Sequence, residues 1–246
     1  MIDLHSHILP GVDDGAQAVE DSLTMLRMAV DSGVTTQVLT PHIHVGRYNN
    51  TKAKLKEHFL RFRDIVEAEN IPISLLLAAE MRIGSEIMNL TINDSIPYLG
   101  EFEGKRTFLL EFPRSDVPLG SDNLVKWLLA KNYLPVIVHP ERNSAFLVRH
   151  SKLQKFLDLG CPIQITASSL TGKFGRDVQI KAEQLLLDGQ VSAIASDCHN
   201  VKGRAPDLDM GFDSASKIIG IENAKRLTCG MPKALLSKNP SYDYVR

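Results

Sequence analysis

The chain has 246 residues, 43% of them apolar and 23% charged, with a formal net charge of -1, the ordinary balance of a globular protein with a substantial core. Its basic residues are dispersed rather than blocked, which removes the usual footprint of a nucleic-acid binder, and three cysteines (Cys161, Cys198, Cys229) without a Cys-x-x-Cys pair argue against a disulfide framework or a zinc finger. The chain starts with Asp3 and His5 rather than a basic segment and an apolar h-region, and no 18-residue apolar run follows, so neither secretion nor membrane insertion is expected and a cytoplasmic location is.

Taken in chain order, Ile2–Ser6 reads as a strand. Side chains alternate faces with period two, so in "IDLHSHI" His5 and His7 share one face while Leu4 and Ser6 take the other. Asp13 and Asp14 follow in "GVDDG", where either suits a turn or a helix cap. Val19 to Asp31 places Leu23, Leu26, Met28 and Val30 among charges as a helix, with Gly33 as a stop signal. Thr36–Leu39 is a second strand, and His42 lies just beyond it, ahead of a loop that carries His44 and Arg47. A helix begins near Thr51, and Lys54 to Glu69 keeps Leu55, Phe59, Phe62 and Val66 at helical spacing, the pattern of an amphipathic outer helix.

Ile73–Ala78 precedes Glu80, Thr107–Leu110 precedes Glu111, Pro135–Val138 precedes His139, and Pro162–Thr166 completes the run. Helices start near Ser121, Ser151 and Arg176. Val191–Ala195 leads into Asp197-x-His199, both on one face, with Cys198 on the other. The closing "SKNPSYDYVR", which contains Tyr242 and Tyr244, reads as a surface tail. His58 and His150, in polar helical stretches, read as solvated surface residues.

Seven strand–helix units emerge, with no linker or repeat to divide them. The expectation is one α/β domain over residues 1–246, its parallel strands closed into a TIM-like barrel. Five histidines and four carboxylates (His5, His7, Asp14, His42, Glu80, Glu111, His139, Asp197, His199) form a metal-ligand set, largely in or just after strands, where barrel enzymes build their sites. Imidazole with a large oxygen share suits manganese, iron or zinc in a catalytic rather than a structural role. Glu111 has a competing reading as a surface ion pair with Arg114. The barrel-mouth position between Phe108–Leu110 and Pro113 favours the ligand.

With the ligands placed, "MIDLHSHILPGVDDG", "TPH", "LLEFP", "VIVHPERN", "QITASSLTG" and "ASDCHNVKGR" resemble the PHP (polymerase and histidinol phosphatase) superfamily, and within it the bacterial capsule and exopolysaccharide protein-tyrosine phosphatases. The resemblance runs in order from residue 1 to about 205. It implies a distorted (β/α)7 barrel, the PHP fold, with three divalent metal ions, manganese expected and iron or zinc compatible, at the C-terminal ends of the strands. Carried over by position, His5, His7, Glu80 and Asp197 hold one ion. Glu80 bridges to a second, bound by Glu111 and His139, and Asp14, His42 and His199 hold the third. Asp14 is preferred over Asp13 on this ground alone. Arg142 and Arg204 match phosphate-contacting arginines, whose planar fork suits two phosphate oxygens at once. The implied partner is a phosphotyrosine protein, the tyrosine-rich tail of a bacterial autokinase that controls surface polysaccharide. His44 and Arg47 depart from the pattern and leave substrate selection open.

Such a set supports phosphate monoester hydrolysis by a metal-held hydroxide, with no protein nucleophile. A small-molecule phosphoesterase of histidinol-phosphatase type and a catalytically idle regulatory subunit are the alternatives. The spacing Cys198-x5-Arg204 matches that of cysteine-dependent tyrosine phosphatases, yet "HNVKG" has one glycine where a backbone cradle needs several, and Cys198 points away from the ligand face. Oligomeric state has no sequence signal.

Overall fold

The computed structural model describes residues 1–243. Ten strands are present: β1 (Ile2–Asp3), β2 (Thr36–Leu39), β3 (His42–Ile43), β4 (Ser74–Leu77), β5 (Glu80–Arg82), β6 (Gly100–Phe102), β7 (Lys105–Glu111), β8 (Tyr133–Val138), β9 (Ile163–Thr166) and β10 (Ala193–Ala195). Every expected strand is there within a few residues. The expected helices are there too, at Val19–Asp31, Lys52–Ala68, Ser121–Ala130, His150–Asp158 and Arg176–Leu187. Thr51 caps the second by accepting from the Lys54 amide at 3.3 Å, and that helix buries Leu55, Phe59, Phe62 and Val66.

One parallel sheet runs β1-β2-β4 and another β10-β9-β8-β7-β5-β3, with β6 antiparallel beside β7. Strands β3 and β5 were not foreseen, because Thr40-Pro41 and Ala78-Ala79 interrupt them from β2 and β4 and leave runs too short to show a period. Backbone bonds keep the interrupted lines together: Ala78 N donates to Leu39 O at 3.0 Å and Glu80 N to Pro41 O at 3.2 Å. A parallel bridge pairs Ser6 with Cys198, flanked by Asp197 N to His5 O and His7 N to Cys198 O, both 2.9 Å.

Strand side chains alternate between two apolar clusters, as they must when both faces of a parallel sheet are covered. Phe108, Leu110, Ile137 and Ile194 join the large cluster packed by the helices. Leu4, Val38, Leu76, Leu109, Val136, Ala193 and Ala195 form the smaller one on the opposite face, together with Leu235 and Leu236 near the chain end.

The closing segment is therefore not a surface tail. Leu77 N donates to Ser241 Oγ at 3.0 Å, and Asn239 donates to the carbonyl of Leu99 at 2.6 Å. Gly100 permits this approach, since a Cβ there would sit 2.5 Å from the carbonyl oxygens of Leu235 and Ser237. The sequence hid the packing because it rests on polar side chains closing backbone groups, which leave no hydrophobic period. Tyr242 is exposed, and Tyr244 lies outside the described residues. Among those residues no helix is long and apolar enough to cross a membrane.

Candidate metal centre

The β1 line brings His5 and His7 to one end of the sheets, fully buried. The turn behind them folds back tightly: Ala16 N donates to His7 O at 3.0 Å, and a Cβ on Gly15 would lie 1.9 Å from that same oxygen, so only glycine fits. This turn places Asp13 under His7 and Asp14 at the rim. Glu80 opens β5, Glu111 ends β7, and His139 and Asp197 follow β8 and β10. Both of the latter adopt left-handed backbone, φ 36° and 51°, a conformation that costs a non-glycine residue roughly 1–2 kcal/mol and turns each side chain inward as its strand ends.

Four atoms converge at the centre. His5 Nε2 and His7 Nε2 are 3.2 Å apart; each is 3.3 Å from Glu80 Oε2 and 3.4 Å from Asp197 Oδ1. Ligand atoms about 2.1 Å from one ion lie about 3.0–3.4 Å from each other in octahedral or tetrahedral arrangements. The chemistry agrees with the spacing. His5 Nδ1 donates to Gln164 Oε1 at 2.8 Å and His7 Nδ1 to Asp13 Oδ2 at 2.7 Å, since neither oxygen can donate in return. Nε2 of each ring is then the atom turned toward the two carboxylate oxygens, where it could give its lone pair to a bound cation. A divalent cation would satisfy such a set.

The metal-free electrostatics carry the same message. Burial opposes protonation of His7, but Asp13 outweighs it and holds the imidazole well above its ordinary range; a proton occupies the place a cation would take. Burial would raise Asp197, yet Arg142 and Arg204 hold it well below the carboxylate range. Both guanidiniums bond its Oδ2, which leaves Oδ1 for the centre. Burial, then the Arg142 charge, lowers His139 to about 4, and burial with His7 lowers His199 to about 2. At neutral pH both rings keep their lone pairs.

Around this core the remaining expected residues gather. Histidine 199 Nε2 and His42 Nε2 lie 3.7 and 3.4 Å from Asp14 Oδ1, and with His7 they form one group whose ligand atoms all lie within 4.8 Å. His139 Nε2 is 2.8 Å from Glu80 Oε1 and also groups with His5 and Asp197. Glu111 groups with His42 and Glu80. It pairs with Arg82 at 2.9 Å, so its partner is not Arg114. All nine residues named from the sequence thus reach one cluster, with Arg142 and Arg204 beside it.

Several residues the sequence reading left aside also belong here. Asp13, taken only as a turn residue, accepts from His7 Nδ1, His42 N (2.9 Å) and Gly15 N (2.9 Å). Gln164 is a polar residue facing inward from an apolar strand, and that mismatch was its available signal. Arg82 sits two residues from Glu80 on the same strand face. Glu141, beside Arg142, is fully buried and accepts from Thr166 N at 2.9 Å and Ser169 Oγ at 2.7 Å, anchoring the loop that carries the arginine. Asn143 caps the next helix through the Phe146 amide.

The cysteine alternative fails on geometry. Cys198 is fully buried, and burial pushes its thiol well above the ordinary range. The amides of Lys202, Gly203 and Arg204 all donate to Asn200 Oδ1, at 3.2, 2.6 and 3.0 Å. They are not free to cradle a phosphate. The open cavity of about 290 Å³ is lined by His42, Glu80, Glu111, His139, Arg142 and Arg204 among others, and Cys198 does not reach it.

Comparison with known proteins gives one family. Residues 1–237 match the family model described as capsular polysaccharide synthesis, CpsB/CapC. The tyrosine-protein phosphatase YwqE of Bacillus subtilis (strain 168) is 36% identical over 211 residues, covering 83% of this chain and 79% of that protein. The tyrosine-protein phosphatase CpsB of Streptococcus pneumoniae is 28% identical over 245 residues, covering 96% and 98%. A crystal structure from work on YwqE and CpsB, described there as metal-dependent tyrosine phosphatases, superposes with a TM-score of 0.89 at 34% identity over 97% of this chain and 95% of that one. An organophosphorus hydrolase mutant, at a TM-score of 0.58 and 16% identity, shares the fold alone.

Proposed function

The chain belongs to the CpsB/CapC family of capsular polysaccharide synthesis, and from that premise we propose that it is a metal-dependent protein-tyrosine phosphatase. The observation that carries this reading is the convergence of His5 Nε2, His7 Nε2, Glu80 Oε2 and Asp197 Oδ1 at 3.2–3.4 Å, beside two arginines that share Asp197. The architecture fits a single distorted seven-stranded barrel, closed where Ser6 meets Cys198. Three ions are assigned: one to His5, His7, Glu80 and Asp197; a second to Glu80, Glu111 and His139; a third to Asp14, His42 and His199. Glu80 can serve two of them because its Oε2 faces the first set while its Oε1 meets His139. The oxygen-rich donors favour manganese, with iron and zinc compatible.

Bound divalent ions supply positive charge for the phosphoryl oxygens and lower the pKa of water to about 7. The protein's own groups do the rest. Arg142 and Arg204, fixed by Asp197 Oδ2, present their N–H forks to the non-bridging oxygens. Gln164 and Asp13 lock the tautomers of His5 and His7. Tyrosine leaves as a phenolate whose conjugate acid has a pKa near 10, so no dedicated general acid is required. The relatives' names and the family's link to capsule support a phosphotyrosine protein as substrate; the tyrosine-rich tail of a bacterial autokinase in the cytoplasm is the one we propose, on the sequence resemblance alone.

The test is phosphate release from a phosphotyrosine peptide and from histidinol phosphate, with chelated enzyme, with added manganese, and with His5→Ala. Metal-dependent release that favours the peptide and disappears in the variant is expected. A preference for histidinol phosphate overturns the substrate, and inactivity toward both overturns the enzyme reading.

A further inference from the structure

Two aromatic rings line the cavity without belonging to the core. Tyr48 and Phe174 are both half-buried in its wall, and neither packs into an apolar cluster. By contrast Phe112 and Phe146, which also line the cavity, are buried core residues packed against Phe156, tilted at a centroid distance of 5.0 Å and edge-on at 6.1 Å. An aromatic ring that is half-exposed in a cavity wall and spent on no core contact is surface available to a ligand.

Both rings are also held in place. Tyr48 closes a short hairpin in which His44 N donates to Tyr48 O at 3.0 Å and Tyr48 N to His44 O at 2.7 Å. Its ring stacks on His42 at 5.4 Å with an interplanar angle of 6°, and the Arg47 guanidinium lies over it at 4.9 Å. Phe174 sits in a turn in which Lys173 N donates to Ser168 O at 3.1 Å and Gly175 N to Gly172 O at 3.0 Å. The Arg142 guanidinium covers one face at 4.9 Å. Each ring is thus coupled to the machinery proposed above, Tyr48 to His42 and Phe174 to Arg142, while remaining half-buried in the cavity wall. This inference rests on that reading of the site.

We propose that Tyr48 and Phe174 are the walls of an aryl subsite, which binds the ring of an aromatic phosphate ester and discriminates against alkyl esters such as phosphoserine. The arrangement is economical: a group that binds phosphate leans on one wall and a candidate metal ligand on the other, so the ring that fits the walls brings its phosphate into register.

The test uses calorimetric binding of phenylphosphonate and methylphosphonate to manganese-loaded wild type, Tyr48→Leu, Phe174→Leu, the double variant and the conservative Tyr48→Phe. Wild type should prefer phenylphosphonate. Each leucine variant should lower that preference about fivefold and leave methylphosphonate affinity within about twofold, while Tyr48→Phe retains the preference. An unchanged ratio overturns the proposal. So does an equal loss for both ligands, which would mean that the rings act only by supporting His42 and Arg142. Binding is read without turnover, so an aryl preference in an enzyme that does not hydrolyse the phosphotyrosine peptide would refute the activity and leave the subsite standing.

Discussion

Asp13→Asn isolates the group that orients a ligand without touching the ion. In the folded protein the Asp13 carboxylate accepts three N–H groups, from His7 Nδ1 at 2.7 Å, His42 N at 2.9 Å and Gly15 N at 2.9 Å. Oδ2 serves the first two and Oδ1 the third. Asparagine has one carbonyl oxygen, so in the better rotamer it keeps His7 and His42 and turns its NH2 against the Gly15 N–H, leaving that buried donor without an acceptor. The charge that strengthens the His7 bond is also lost. Losing a hydrogen bond to a charged group costs about 1.5–3 kcal/mol, and loss of a ligand's outer partner lowers metal affinity about 10–100-fold. The two figures agree, because 1.4 kcal/mol is about tenfold. The assay is a manganese titration of both proteins against a fluorescent chelator, with thermal unfolding in excess chelator to confirm that the variant is folded. A folded variant that binds manganese within about twofold of wild type would falsify the orienting role, and with it the tautomer argument for His7.

Gln164→Leu removes the matching partner of His5 Nδ1 and should lower manganese affinity by about tenfold, read by the same titration. Cys198→Ser should keep kcat within about threefold of wild type, since the buried thiol takes no part in the chemistry; a loss above 100-fold in the folded variant would restore the cysteine mechanism. The acid sensitivity of the metal-free protein follows from His139, whose pKa falls from 6.5 to about 4 through burial and then Arg142. Below pH 6.5 the unfolded chain takes up a proton that the folded one refuses until about pH 4, so this contribution to stability is complete above 6.5 and is lost as pH falls toward 4. The shift corresponds to about 3 kcal/mol at most, less to the extent that water reaches a ring 12% exposed. Chemical denaturation of wild type and His139→Gln without metal should therefore show their stability difference changing by up to that amount between pH 7 and 4, and parallel profiles would sink the argument.

Much of this site was legible because the strands carry it. Period two suggests His5 with His7, and strand ends mark Glu80, Glu111, His139 and the Asp197-x-His199 pair, although Asp197 meets the centre through left-handed backbone rather than strand alternation. What stayed hidden depends on contacts between distant segments. Asp13 and Asp14 are both carboxylates in one turn, and no local signal says which reaches a ring nitrogen and which the rim; Gly15, which forces the turn onto His7 O, decides it. Gln164 becomes meaningful only once β9 lies opposite His5. The short strands β3 and β5 escaped because two residues cannot show a period, and the closing segment because its anchors, Asn239 and Ser241, bind backbone rather than apolar surface.

The strained residues explain why the centre is built as it is. Among the described residues seven non-glycine positions have positive φ, and two of them, His139 and Asp197, are candidate ligands directly after strands. Strain of this kind persists only where surrounding contacts over-determine it. At Asp197 the contacts are visible: its amide donates to His5 O at 2.9 Å, and its carboxylate is fixed by Arg142 and Arg204. At His139 they are a hydrogen bond from its backbone amide to Gln164 O at 2.7 Å and the ring's contact with Glu80. Gln164 and Asp197 thus serve the two centres at once, since Gln164 also orients His5 and Asp197 also orients the arginines. Under the proposed reading, phosphate recognition and metal binding are therefore not separable modules in this chain. A change at Asp197 removes a candidate ligand, frees both arginines and relaxes the turn that carries His199, and its effect should exceed the sum of the arginine substitutions taken alone.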